Sequence, residues 1–364
     1  MRQSSYVCIF LTCLLAGYFF YPAKDVKFYE IGKDSLLKNN TPLKENAITI
    51  NNCAEYETTI GEVFLVKALK NALEKQYKDV SIDYRLEMYP EDRNDEIQIY
   101  MRGYFKFMPP FPDNKHINIA YIIYPLYFTY PNKEMLNNRD KIKNTSLAYG
   151  NIGVDELQFY DILAVASAPY AKKMRDKGFN AYYVPQFTNT NIFYYEFDES
   201  IKSEVLFVGT KRQYGVADIA LKYNLPLTVY GPQWGDVALK EYIDNNELHK
   251  YYSSAKIVLN DHREDMLKEG FINNRVFDVT ATGTMLISDY MPEIEKIYGD
   301  SIPMYKTEED LVRLVKYYLD NPKEREELAL KAKNITLKNF TEKNIGEMFF
   351  RLISDEKNSR SNVK

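Results

Sequence analysis

The sequence predicts an α/β protein made of two Rossmann-like, doubly wound domains facing a cleft, with an N-terminal apolar segment ahead of them. Three observations carry this. Short β-rich runs alternate with amphipathic stretches, the alternation restarts after an aperiodic polar stretch at 186–203, and 364 residues suffice for two domains of ordinary size. Strand–helix–strand order in each half implies parallel strands joined by crossovers.

The elements follow in order. Asn46–Ile50 (NAITI) reads as a strand, and 58–78 carries Val63, Val66, Leu69, Leu73 and Tyr77 at helical spacing. Val80–Met88, Glu96–Met101 and His116–Tyr124 read as further strands, the last apolar enough to be buried on both faces. Asp161–Ser167 precedes a helix over Pro169–Lys177 that stops at Gly178, and Ala181–Val184 closes the first series. In the second series, strands are expected at Glu204–Val208, Leu227–Tyr230, Lys256–Asn260 and Met285–Ser288, with helices at Val216–Tyr223 and Asn273–Thr282. Thr307 caps a helix to Asp320, and Pro322–Phe340 and Thr341–Glu356 are helical. The expected division is 1–24 apolar segment, 46–187 N-terminal domain, 203–340 C-terminal domain and 341–364 C-terminal helix and tail.

Composition narrows the function. Lys+Arg 47 against Asp+Glu 51 gives a net charge of −4, with 45% hydrophobic and 27% charged residues. That balance is globular and disfavours both a disordered chain and a nucleic-acid binder. A mean hydropathy of −0.43 excludes a polytopic membrane protein. Cys8 and Cys13 lie in the apolar run and leave Cys53 alone, so no disulfide framework is available. His116, His249 and His262 stand far apart with no Cys or His at ligand spacing, and no metal site is expected. Tyr6 to Tyr21 (YVCIFLTCLLAGYFFY) is apolar or neutral throughout. A signal anchor, a cleaved signal peptide and a peripheral apolar arm all fit it, and contact with a membrane through 6–21 is expected.

The most informative stretch is Lys256 to Asp289, KIVLNDHREDMLKEGFINNRVFDVTATGTMLISD. Together with Glu204-Val-Leu-Phe-Val-Gly-Thr210, Tyr230-Gly-Pro-Gln-Trp234 and Asp310–Asn321, it resembles the C-terminal domain of the spore-maturation-type (CgeB-like) glycosyltransferases of group 1. The resemblance covers about 150 residues and is weak in the N-terminal half. It implies transfer of a sugar from a nucleoside diphosphate sugar to a saccharide, lipid or protein acceptor, with retention of configuration. It also implies two acidic residues, the first near the donor sugar and the second on the ribose hydroxyls. Glu269, before Gly270-Phe271, matches the first and Asp278 the second. Eight residues separate them where group 1 enzymes usually have seven, and Asp replaces the usual second Glu.

Chemistry supports the same positions. A carboxylate such as Asp278 accepts two hydroxyl hydrogen bonds from a ribose. Asn273 and Asn274 open a helix whose N–H groups and dipole favour a diphosphate, and Arg275 in that first turn is unfavourable to the helix itself but suited to an anion. The loop Gly209-Thr-Lys-Arg-Gln-Tyr-Gly215 offers Lys211 or Arg212 to a leaving diphosphate, although it is neither a Walker A nor a GxGxxG motif. Trp234, the sole Trp, is placed to line a base pocket or to sit in an ordinary core contact. His262 lies just past a strand end on the same edge, within reach of the sugar or its phosphate. Asp261 and Asp265 form no DxD, so neither cofactor nor metal is expected beyond the donor itself. Three rivals stay open: a nucleotide-sugar binder without turnover, a different two-Rossmann enzyme such as a sugar-nucleotide epimerase, which would need an activated base and acid in the cleft, and a structural surface or coat protein exported by its leader. Cytosolic nucleotide sugars place the enzyme in the cytoplasm, with an anchor on that face of the membrane as the variant.

Overall fold

The computed structural model describes residues 44–52, 61–84, 95–102, 115–125, 157 and 160–362. The apolar segment 1–24 lies outside them. In the first sheet, β1 (Lys44–Asn51), β2 (Asp79–Asp83), β3 (Asp95–Arg102), β4 (Ile117–Ile122), β5 (Ile162–Val165) and β6 (Ala181–Tyr183) run parallel in the order β2-β1-β3-β4-β5-β6. Every residue of β4 (INIAYI) is buried, as a central parallel strand covered on both faces requires. Helix α1 (Gly61–Leu73) covers one part of this sheet, and α2 (Ala168–Asp176) is capped by Ser167, whose Oγ accepts from Tyr170 N at 3.1 Å.

The second sheet joins β7 (Ser203–Val208), β8 (Leu227–Tyr230), β9 (Ala255–Asn260), β10 (Met285–Asp289) and β11 (Met304–Tyr305), parallel, in the order β11-β10-β9-β7-β8. Its helices are α3 (Val216–Lys222), α4 (Leu248–Ser253), α5 (Glu264–Glu269), α6 (Asn274–Thr282), α7 (Pro292–Tyr298), α8 (Glu308–Asp320) and α9 (Pro322–Asn339). Thr307 caps α8 by accepting from Asp310 N at 3.1 Å. Helices α4, α5 and α7 are absent from the sequence reading, because six or seven residues give too little period to recognise. One consequence touches the site: Glu269 ends a helix, where the sequence reading has a loop.

One seam between the two series lies at Thr188. Thr188 N donates to Phe340 O at 2.9 Å and Glu342 N donates to Thr188 O at 3.0 Å. The Glu342 carboxylate accepts from Thr190 N at 3.0 Å and Thr190 Oγ1 at 2.8 Å. From there α10 (Glu342–Asn362) returns to the first sheet, where Ile345, Phe349 and Ile353 enter its core and Phe349 meets Tyr121 edge-on. The C-terminal helix therefore belongs by packing to the N-terminal half.

Candidate functional site

In the second sheet the chain leaves β7, forms β8 on one side of it and then β9 on the other. Such a reversal of strand order opens a crevice at the carboxyl ends of the two strands it separates, here at Val208 and Asn260. Arg275, in the first turn of α6, spans that crevice. Its Nη2 donates to Val208 O at 2.6 Å, its Nη1 donates to Asn260 Oδ1 at 3.1 Å, and the guanidinium lies 4.9 Å from the Phe207 ring centre. The turn after β7 is held against the turn after β8: a Cβ on Gly231, whose φ is +134°, would stand 2.2 Å from Gly209 O. Only glycine permits that approach. Trp234 Nε1 donates to the same Gly209 carbonyl at 2.8 Å.

Behind Arg275 a buried polar network crosses from β9 to β10. Asn260 Nδ2 donates to Ser288 Oγ at 2.9 Å, and Ser288 Oγ donates to Asp289 Oδ1 at 2.9 Å. Asp289 holds His262 twice, accepting from its backbone N at 2.7 Å and standing 2.7 Å from ring Nδ1. Burial pushes the Asp289 carboxyl up, but the hydrogen bonds from His262 and Ser288 outweigh it and hold the group below the usual carboxylate range. An ionised carboxylate only accepts, so Nδ1 carries a proton and Nε2 is the ring's remaining polar atom. Asn273 Nδ2 donates to Asn260 Oδ1 at 3.0 Å and to Asp261 O at 3.1 Å, which fixes its amide orientation.

Four polar atoms at this edge are buried without a hydrogen-bond partner: His262 Nε2, Asn273 Oδ1, Asn274 Oδ1 and Asp278 Oδ1. Leaving a buried polar atom unpaired costs roughly 1–3 kcal/mol, so a cluster of them marks a place built for a ligand. Burial pushes the Asp278 carboxyl well above its ordinary range, against the opposing effects of Thr188 and Arg275.

The structure thus brings Gly209, His262, Asn273, Asn274, Arg275 and Asp278 to one edge. Three expected contacts are placed otherwise. Glu269 is engaged by the first series: Lys173 Nζ lies 2.9 and 3.0 Å from its two carboxylate oxygens, while its carbonyl accepts from Ser167 Oγ at 2.6 Å. Arg212 is committed to Asp261 by an ion pair and a 3.2 Å bond to its carbonyl, and the other Asp261 oxygen accepts from Val216 N at 3.0 Å. Trp234 is 4% exposed and packs edge-on to Phe207 in the core, so it braces the Gly209 turn from below. Lys211 remains exposed with its ammonium 5.5 Å from the Trp234 ring centre. Sequence reasoning missed Asn260, Ser288 and Asp289. Their signal was present: polar residues end otherwise apolar strands in KIVLN and MLISD. Among the described residues no group of three His, Cys, Asp or Glu side chains is placed to hold a metal ion.

Residues 212–349 match the family model described as glycosyl transferase-like, a span that contains every residue of the network from β9 to β10. No curated protein matches the chain. Among solved structures, sucrose-phosphate synthase from Thermosynechococcus elongatus superposes with a TM-score of 0.61 at 10% identity, covering 86% of this chain and 99% of that one. HepE from Anabaena, solved with UDP and glucose, gives 0.55 at 8% identity over 85% and 99%. An alpha-glucosyltransferase solved with UDP and a 13-mer DNA gives 0.51 at 11% identity over 85% and 99%. These likenesses establish the fold as GT-B. Within it, residues 212–349 are similar to the glycosyl transferase-like family.

Proposed function

We propose that this chain transfers a glycosyl group from a nucleoside diphosphate sugar to an acceptor held at the first sheet. We read it as a group 1 enzyme of the spore-maturation type, retaining and independent of metal. One observation carries the reading: Arg275 spans the crevice of the second sheet at the N-terminal turn of α6, where a cation and backbone N–H groups meet. A departing diphosphate gains negative charge as the glycosidic bond breaks, and fixed donors aimed at it lower the barrier by electrostatic preorganisation. Arg275, the α6 turn and exposed Lys211 supply those donors, and Asp278 Oδ1 accepts from the ribose. HepE and the alpha-glucosyltransferase both bind UDP in the same fold, which makes UDP-sugars the first donors to try.

The acceptor belongs at the matching crevice between β1 and β3. Buried Asn51, Asn52 and Arg102 end those strands, and both amide atoms of Asn52 lack a hydrogen-bond partner. A hydroxyl-bearing acceptor, whether saccharide, lipid or protein, suits an amide that offers a donor and an acceptor together. Because nucleotide sugars are cytosolic, we place the enzyme in the cytoplasm, with 6–21 as a membrane contact. No helix among the described residues is long and apolar enough to cross a membrane.

One observation favours a second reading, a nucleotide-sugar binder without turnover: Glu269 is engaged by Lys173. A thermal-shift screen with UDP-, GDP-, dTDP- and CMP-sugars, followed by a transfer assay with the donor that binds, separates the two. Stabilisation with transfer supports the enzyme, stabilisation without transfer or donor hydrolysis supports the binder, and no stabilisation removes both.

A further inference from the structure

Glu269 leaves a gap in the chemistry that a sugar donor needs. Hydroxyl groups of a hexose are hydrogen-bond donors, and a site that reads them must present fixed acceptors. Both Glu269 carboxylate oxygens face Lys173, and its side chain joins α5 to α2. The segment around it is held to the first sheet at several other points. Met266 and Phe271 lie in that sheet's core, Tyr170 meets Phe271 edge-on, and Gly270 (φ +71°) sits where a Cβ would lie 2.6 Å from Pro169 Cγ. Swinging Glu269 toward a donor would break the ion pair without releasing the backbone that carries it.

Acceptors are present a few residues on. Asn273 is oriented by its two Nδ2 bonds, so its Oδ1 has a fixed direction, and that oxygen is buried without a partner. Asn274 Oδ1 is in the same condition. His262 Nε2 is the third such atom, on a side chain with no exposure and a ring fixed by Asp289. Asn273 and His262 are tied through Asp261, since Asn273 Nδ2 donates to the carbonyl just before His262. Asn273 and His262 therefore flank Asp261 ahead of Arg275, Asn274 is the next residue of the same turn, and with Nδ1 donating to Asp289 the ring's Nε2 is placed as an acceptor.

We propose that Asn273, Asn274 and His262 read the hydroxyls of the donor sugar in this protein, in the place of Glu269, which serves instead as a tie between the two sheets. This deepens the glycosyltransferase reading and rests on it.

The test compares affinities for UDP and UDP-glucose in the full chain, measured calorimetrically, because their ratio isolates the sugar. Asn274→Leu and His262→Ala should each lower the preference for UDP-glucose over UDP about five- to tenfold while UDP affinity stays within about twofold. Asn274→Asp keeps an acceptor oxygen and should retain the preference, and Glu269→Gln should leave it unmoved. Should His262→Ala fail to fold, the Asn274 pair decides alone. The proposal falls if Glu269→Gln lowers the preference as much as Asn274→Leu does, or if Asn274→Leu leaves it unchanged. A wild-type chain that binds neither compound removes the UDP-sugar reading itself, whereas binding of both with an unmoved preference removes only this inference.

Discussion

The two sheets share one strand order, β2-β1-β3 continuing through β6 in the first and β8-β7-β9 continuing through β11 in the second, so each has a switch-point crevice. They fill it differently. Between β7 and β9 an arginine bridges a strand carbonyl and an asparagine, backed by an ionised Asp289 and a string of hydrogen bonds. Between β1 and β3 the strand ends carry two amides and the buried Arg102, with Asn51 Nδ2 donating to Gln98 Oε1 at 3.1 Å and the Asn52 side-chain amide without a hydrogen-bond partner. Topology supplies two equivalent places for ligands, and the proposed donor site is the second, where Arg275 bridges the two strand ends.

Removing the bridge should break that difference most severely. Arg275→Ala deletes two charge-assisted bonds at the second crevice, each worth roughly 1.5–3 kcal/mol, and should lower transfer at least a hundredfold. If Arg275 meets the diphosphate as proposed, that contact strengthens as the leaving group departs and turnover should fall more than donor affinity. Arg275→Lys cannot reach Val208 O and Asn260 Oδ1 together and should recover only part of the loss. Equal falls in turnover and affinity would reassign Arg275 to ground-state binding.

Backbone geometry should come next. Gly231→Ala sets a methyl against Gly209 O in a left-handed conformation, so a loss of roughly 2 kcal/mol or more is expected in denaturant unfolding. A variant as stable as wild type would show that the Gly209 turn yields freely, and with it the rigidity claimed for this crevice.

How much of this was legible in the sequence follows from the physics of each residue. Long apolar strands such as HINIAYIIY and the capped helix after Thr307 declare themselves, because burial and capping are local signals. His262, Asn273, Asn274, Arg275 and Asp278 were found as residues, since strand ends and helix starts can be counted. Their partners were not. That Asp289 holds His262, that Asp261 takes Arg212, and that Lys173 takes Glu269 depend on residues 27, 49 and 96 positions apart, and no local pattern encodes such pairings.

Two aspartates at the second crevice sharpen the comparison through pH. An unfolded aspartate titrates near ~3.9. Asp278 is raised in the fold, so its contribution is complete below the unfolded value and is lost as pH rises through the folded one, which makes the group a cost to the unliganded protein above that range. Asp278→Asn should therefore raise the melting temperature at pH 7 more than at pH 4, while weakening UDP binding if Asp278 meets the ribose as proposed. Asp289 is lowered, so its contribution is present above ~3.9 and lost as pH falls through the folded value. Asp289→Asn should lower the melting temperature at pH 7 and matter progressively less in acid. Parallel pH profiles for the two variants would contradict the opposite environments assigned to them.

The smallest effect concerns the tie between the sheets. Lys173 and Glu269 side chains are 40% and 22% exposed, so solvent screens the pair and its coupling should be only about 0.5–1 kcal/mol. A double-mutant cycle with Lys173→Met and Glu269→Gln measures that coupling directly, with unfolding in denaturant as the readout. The backbone bond from Ser167 Oγ to Glu269 O and the packing of Phe271 on Tyr170 survive both substitutions, so the fold should hold throughout the cycle. If Glu269 is a tie, the coupling appears in stability and salt weakens it, while the preference for UDP-glucose over UDP is the same in all four proteins. If Glu269 instead turns to the donor when the sugar binds, Lys173→Met should free it and raise that preference, and the coupling energy would vanish once UDP-glucose is present.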